Sequence, residues 1–200
     1  MILRAINVAW LGMVLMSLIK EHQQLLLTVA RASILHGLQT GSPLNIKLSD
    51  YPSVLTEFRA TFVTLELHQQ LRGCIGQLEA TRPLIEDVAE NAFLAAFQDP
   101  RFRPLVMDEL TELEIHLSLL TEHVPILFSS EQDLINQLQP NIDGLILVEG
   151  HRRGTFLPSV WEQLPEPKQF LRHLKQKSGL AADYWSNTIK VYRYQAESIS

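Results

Sequence analysis

The hydrophobic residues of this chain change their spacing at irregular intervals, and that narrows the folds open to it. Leu25, Leu26, Val29, Ala30, Ser33, Ile34 and Gly37 recur at i, i+3 and i+4. They predict a helix over 18–38, stopped by Thr40-Gly41-Ser42-Pro43. Residues 44–58 are irregular, with Tyr51-Pro52 as a breaker. Residues 60–67 (ATFVTLEL) alternate and are rich in β-branched types, so they predict a strand. His68-Gln69-Gln70 turns the chain, and 71–78 returns as the hairpin partner. Pro83 suits the first turn of a second helix, with Thr81 as its cap and Asp99-Pro100 as its end. Residues 113–121 alternate again, and 130–138 form a short helix with an acidic first turn. A second hairpin, 143–149 with 155–157, closes around 150–154. Residues 167–178 form a helix stopped by Gly179, and 188–194 a last strand. Strands and helices do not alternate regularly. The pattern predicts an α+β fold with an antiparallel or mixed β-sheet flanked by helices, rather than a doubly wound one.

Composition sets outer limits. A chain of 200 residues is one domain or two small ones. At this length roughly 70% of the unfolded surface is buried, so no staple is needed. Hydrophobic residues make up 46% and charged residues 20%, which excludes disordered, collagen-like and coiled-coil classes. The single cysteine, Cys74, excludes a disulfide framework and a thiolate zinc cluster within one chain. A net charge of −5 argues against indiscriminate binding to nucleic acid or anionic membrane. The charge is nevertheless uneven. Residues 104–149 hold nine acids and no lysine or arginine, whereas 150–193 hold eight basic residues against three acids. Two surfaces of opposite potential are expected, either solvated or, for the basic one, meeting an anionic partner.

Residues 5–19 (AINVAWLGMVLMSLI) carry no charge. Fifteen residues fall short of the roughly 20 that span a bilayer, and no small-x-small cleavage site follows. A buried helix, a membrane tether and an upstream extension with Met13 or Met16 as true start are the three readings. Residues 1–17 are accordingly treated as an apolar extension and 18–200 as the domain. A cytoplasmic location is expected, without a membrane partner.

The segment Leu71-Arg72-Gly73-Cys74-Ile75-Gly76 holds the sharpest chemical signal. In an extended chain Arg72, Cys74 and Gly76 share one face. Two glycines in a strand mark a bulge or a close backbone approach, and here would leave open space beside the thiol. A neighbouring Arg72 guanidinium would raise the thiolate fraction and suit a nucleophile or redox group. The plainer alternative is a small buried cysteine. His116, with Glu114 two residues earlier, is either a base oriented by a carboxylate or an ordinary strand histidine. Arg101 either clamps an anionic group or pairs with Asp99 or Asp108. Thr155 beside Gly154 either binds phosphate or simply starts a strand. Lys168, Arg172 and Lys175 fall on one side of the helix 167–178 while Phe170, Leu171 and Leu174 dock it. With Arg152 such a stripe suits a polyanion, and equally a solvated helix. There is no HExxH, CxxC or close histidine pair, so neither a metal nor a cofactor is expected. No GxSxG or phosphate loop is present either.

LRGCIG at 71–76, followed by Asp99-Pro100-Arg101-Phe102, resembles the hallmark of the AMMECR domain family, that of AmmeMemoRadiSam system protein A. Asp143-Gly144-Leu145, Thr155-Phe156-Leu157-Pro158, Val160-Trp161, Phe170-Leu171, Gly179-Leu180 and Trp185 match as well. The resemblance covers about 25–194. It departs at Lys175, where relatives often carry cysteine, and at Ser159, where glutamine is usual. It favours Met16 as the start. It implies an α+β fold with a larger and a smaller subdomain around a cleft, and it brings no established reaction. It also implies Memo-like and radical SAM proteins as partners, with a role suggested in RNA or other nucleic-acid modification. Two expectations follow. In one, an enzyme or catalytic subunit uses Cys74 with His116 and Glu114, and binds an anionic substrate through Arg72, Gly73, Gly76, Arg101 and Thr155. In the other, a non-catalytic module presents an anionic ligand or RNA to those partners through Arg152, Lys168 and Arg172.

Overall fold

The computed structural model describes residues 17–200. Residues 5–16 of the apolar run, and with them the choice of Met13 or Met16 as start, lie outside the described residues. The chain divides into two compact units, one running through Thr121 and taking back Glu197–Ser200, the other Glu122–Ala196.

In the first unit, helix α1 (Lys20–Thr40) buries Leu26, Val29, Ala30, Ser33, Ile34 and Gly37 along the predicted face. It ends where Gly41 adopts a left-handed φ of 76° and donates its N–H to the Gly37 carbonyl. Strands β1 (Thr61–Leu67) and β2 (Gln70–Gly76) form a hairpin. Its two-residue turn, His68 and Gln69, has φ of 52° and 62°, the handedness that matches the twist of the strands. The helix α2 is Leu84–Phe97 and strand β3 is Glu114–Leu120. β1 pairs antiparallel with β2 on one side and β3 on the other. Val63, Leu65, Ile115 and Leu117 point inward from the sheet, where they meet Leu26 and Ile34 of α1 and Ile85, Val88 and Ala92 of α2. Pro83, not Thr81, occupies the N-cap position of α2; the Thr81 hydroxyl instead accepts from Gln77 Nε2 at 2.6 Å. The buried Asp87 of α2 accepts from the Thr61 N–H (3.0 Å), the Thr61 hydroxyl (2.6 Å) and Asn91 Nδ2 (2.9 Å), which fixes α2 against β1. The irregular segment before β1 holds two single 3₁₀ turns, Leu48–Asp50 and Ser53–Leu55.

In the second unit, the short strand β4 (Val124–Pro125) precedes helix α3 (Glu131–Gln137), whose first turn is capped by the Ser130 hydroxyl accepting from the Asp133 N–H. Strands β5 (Gly144–Glu149) and β6 (Arg152–Phe156) make a hairpin tighter than expected. Only Gly150 and His151 turn it, with Gly150 at φ 58°, and Arg152, Arg153 and Gly154 belong to the strand. Helix α4 (Pro167–Lys177) and strand β7 (Lys190–Tyr194) follow. The sheet order is β4-β7-β5-β6, with antiparallel pairing throughout. Trp161 stacks on Phe170 at 3.7 Å, and Leu145, Leu147, Leu171, Leu174 and Val191 complete this core. The last strand, β8 (Ala196–Ile199), lies beside β3 and gives the first sheet its order β2-β1-β3-β8. Glu197 on it accepts from the Ser17 hydroxyl, the Leu18 N–H and Gln23 Nε2. The fold is the expected α+β one, built on two four-stranded sheets. Among the described residues no helix is long and apolar enough to cross a membrane.

Candidate functional site

Alternation along β1 sends Val63 and Leu65 into the core and Thr64 to the opposite face of the sheet. In register, Thr64 faces Cys74 of β2 on one side and His116 of β3 on the other. Cys74, Thr64 and His116 therefore form one row across three strands, each half-buried. The Thr64 hydroxyl donates to Cys74 Sγ at 3.3 Å.

The strand β2 carries a bulge. Leu65 faces Gly73 but Glu66 faces Leu71, which leaves Arg72 as the extra residue. Arg72 thereby leaves the alternation that would have set it beside the thiol. Its side chain is buried against Glu109, Nε donating to Oε1 at 3.0 Å and Nη2 to Oε2 at 2.9 Å. Those hydrogen bonds hold the Glu109 carboxyl down to about 2. Arg72 is thus a structural fork, not the guanidinium beside Cys74.

Arg101 takes that place. Its Nη2 donates to the Cys74 carbonyl at 3.2 Å and to Asp99 Oδ2 at 2.6 Å, and its Nε to Asp99 Oδ1 at 2.9 Å. The Cys74 N–H donates to Asp99 Oδ2 at 2.9 Å. Asp99 also accepts the Arg101 N–H two residues on, so the Asp-Pro-Arg turn is locked by its own side chain. The Asp99 carboxyl is buried, and the Arg101 hydrogen bonds hold it well below the usual carboxylate range. The same bonds, with smaller contributions from Cys74, keep the guanidinium charged. Arg101 pairs with Asp99 as one of its two readings expected, yet its side chain stays 54% exposed.

Gly73 and Gly76 are explained by close approach rather than by room for a substrate. A Cβ at Gly73 would fall on the Ala95 carbonyl oxygen of α2, and one at Gly76 on the Thr61 carbonyl and Phe62. The open space expected beside the thiol at Gly73 is therefore filled by helix backbone.

At the other end of the row, His116 Nε2 lies 3.7 Å from Glu66 Oε2 and 3.9 Å from Glu114 Oε2. Both separations exceed a hydrogen bond. Glu66 stands directly opposite Glu114 in the sheet register. Sequence spacing did not single it out. The alternation of 60–67 puts it on the polar face, but only register brings it to β3.

The second unit carries the remaining candidates. The Thr155 hydroxyl donates to the Leu145 carbonyl at 2.9 Å and lies 3.0 Å from the Tyr194 hydroxyl. Tyr194 in turn donates to the Phe156 carbonyl, and burial pushes its hydroxyl up to about 12. Thr155 is thus a strand residue tied into the sheet, with its hydroxyl already engaged. Arg152, Lys168 and Arg172 are exposed. Lys175 is not: it is fully buried, donates to Glu131 Oε1 at 2.6 Å and lies over the Trp185 ring. The predicted basic stripe on α4 therefore shortens to Lys168 and Arg172.

Two antiparallel sheets with helices packed on them, and a cysteine-bearing hairpin strand fastened by an Asp-Pro-Arg turn, define an α+β protein with a thiol on a polar sheet face. The chain belongs to the AMMECR1 family, which matches residues 27–199. It is 35% identical over 180 residues to a protein of Methanothermobacter thermautotrophicus, covering 89% of this chain and 93% of that one. It is 38% identical over 149 residues to a protein of Thermotoga maritima, covering 73% and 80%. The crystal structure of an uncharacterized protein from Pyrococcus horikoshii superposes with a TM-score of 0.82 at 32% identity, over 89% of this chain and 90% of that one.

Proposed function

We propose that the polar face of the first sheet carries thiol-dependent chemistry on an anionic substrate. Cys74 acts as nucleophile or redox group, and Arg101 receives the negative charge. The observation that carries this reading is the double anchoring of the Cys74 peptide. Its N–H goes to Asp99 and its carbonyl to Arg101, while the side chain receives the Thr64 hydroxyl. A half-exposed guanidinium is thus held in fixed geometry beside a half-exposed thiol, which is what charge-directed substrate binding requires. His116, one strand beyond Thr64, is placed to exchange a proton with a substrate lying across the row. An unpaired cysteine fits a reducing, cytoplasmic setting. In this reading the Memo-like and radical SAM partners implied by the family resemblance supply the metal chemistry, and RNA is one class of anionic substrate.

The test compares alkylation of native Cys74 by iodoacetate, an anion, and by iodoacetamide, which is neutral. Arg101→Gln is expected to slow the anionic reagent several-fold more than the neutral one. A thiol inert to both in the folded protein, or an unchanged ratio in Arg101→Gln, would overturn the reading. A second reading is favoured by the exposed Lys168 and Arg172, one helical turn apart on α4. There the second unit binds RNA or another polyanion without catalysis.

A further inference from the structure

Glu66 and Glu114 stand directly opposite each other on β1 and β3. Like charges in that position repel, so the pairing costs stability unless something positive lies between them. Among the described residues neither carboxylate is paired with a lysine or arginine; the group facing both is His116. His116 Nε2 is closed off from solvent and has no hydrogen-bond partner. One ligand atom from each of the three residues lies within 4.8 Å of the others. Bonds to a divalent cation of about 2.0–2.2 Å, set at a tetrahedral angle, place their outer ends about 3.4 Å apart. The two imidazole–carboxylate separations of 3.7 and 3.9 Å are close to that spacing. The carboxylates can close the remainder by rotation, since their side chains are 33% and 56% exposed.

We propose that Glu66, Glu114 and His116 form a binding site for a divalent cation of the zinc or manganese type. One imidazole with two carboxylates is a mixed donor set of borderline and hard ligands, suited to zinc or manganese and unsuited to a soft ion. Three protein ligands leave coordination positions for water or an anionic ligand, the arrangement of a catalytic rather than a closed structural site. The partly exposed carboxylates leave the site open to solvent. The site does not depend on Cys74 being a nucleophile.

The experiment is calorimetric titration of Zn²⁺, and separately Mn²⁺, into the tag-free full-length chain. Saturable binding of one cation per chain is expected for at least one of the two metals. It should persist in Cys74→Ser and weaken about tenfold or more in Glu66→Gln, in Glu114→Gln and in His116→Ala. The two glutamine variants are isosteric changes at partly exposed positions, and helix circular dichroism checks that they are folded. Three results would each overturn the proposal: no saturable binding of either metal, binding unchanged in the Glu66→Gln and His116→Ala proteins, or binding abolished in Cys74→Ser. Because the thiol variant separates the two, the cation site can fail while the Cys74 reading stands, and the reverse.

Discussion

Replacing Glu109 by glutamine tests whether Arg72 is a structural fork. The two side chains are only 10% and 15% exposed and share two hydrogen bonds of 3.0 and 2.9 Å. The magnitude can be reached by two routes. A carboxyl lowered from 4.5 to about 2 in the folded state is worth about 3 kcal/mol at neutral pH, and residual solvent screening reduces this to about 2–3 kcal/mol. Breaking a buried ion pair by removing one partner costs about 3–5 kcal/mol, at the lower end here because both groups keep some exposure. Glu109→Gln is therefore expected to lose about 2–3 kcal/mol at pH 7. The pH dependence has a definite sign. The folded value lies below the unfolded one, so the stabilisation is fully present above about pH 4.5 and is lost as pH falls toward 2. The gap between wild type and variant should close across that window. Urea denaturation should be followed by the circular dichroism of α1 and α2, because the tryptophans described, Trp161 and Trp185, belong to the second unit. A Glu109→Gln protein within about 0.5 kcal/mol of wild type at pH 7 would refute the argument, and so would a gap that does not narrow in acid.

Two further outcomes are expected. Gly73→Ala should cost about 2 kcal/mol or more, because its Cβ meets helix backbone that cannot rotate away, while Gly150→Ala, with open space around it, should cost only about 1 kcal/mol for its left-handed φ; thermal melts of the two variants give the comparison. If the second unit binds polyanions, Lys168→Glu with Arg172→Glu should weaken salt-sensitive binding of a labelled RNA, whereas Lys175→Met should leave it unchanged, because that ammonium is buried against Glu131; equal losses in both proteins would contradict the assignment of the stripe.

Much of the fold was legible because its signals are local. The face of α1, its glycine stop and the β1–β2 hairpin are written in periods of 3.6 and 2 and in turn residues. The short helix α3 with its acidic first turn is equally local. The two-residue strand β4 was too short to leave a period, and β8 carries no strong alternation to set it apart from a tail. Thr81 was misread as a cap because a hydroxyl near a helix start has several partners to choose from, and here Gln77 is the one it meets.

The candidate site divides along the same line. Cys74 stood out from its motif alone, and Asp99-Pro100-Arg101 was visible as a turn that projects an arginine. The sequence by itself determined the α+β class, the family and the motif that holds the single cysteine, because period, turn chemistry and motif are properties of neighbouring residues. Which arginine is held at Cys74 was decided by a single bulge that shifts Arg72 out of alternation, and Glu66 joined His116 only through the pairing of β1 with β3. Lys175 was removed from the basic stripe by the packing that buries its side of α4 and supplies Glu131 as counter-ion. Each of those outcomes depends on register and packing between segments far apart in the chain, where a shift of one residue reverses the face a side chain occupies.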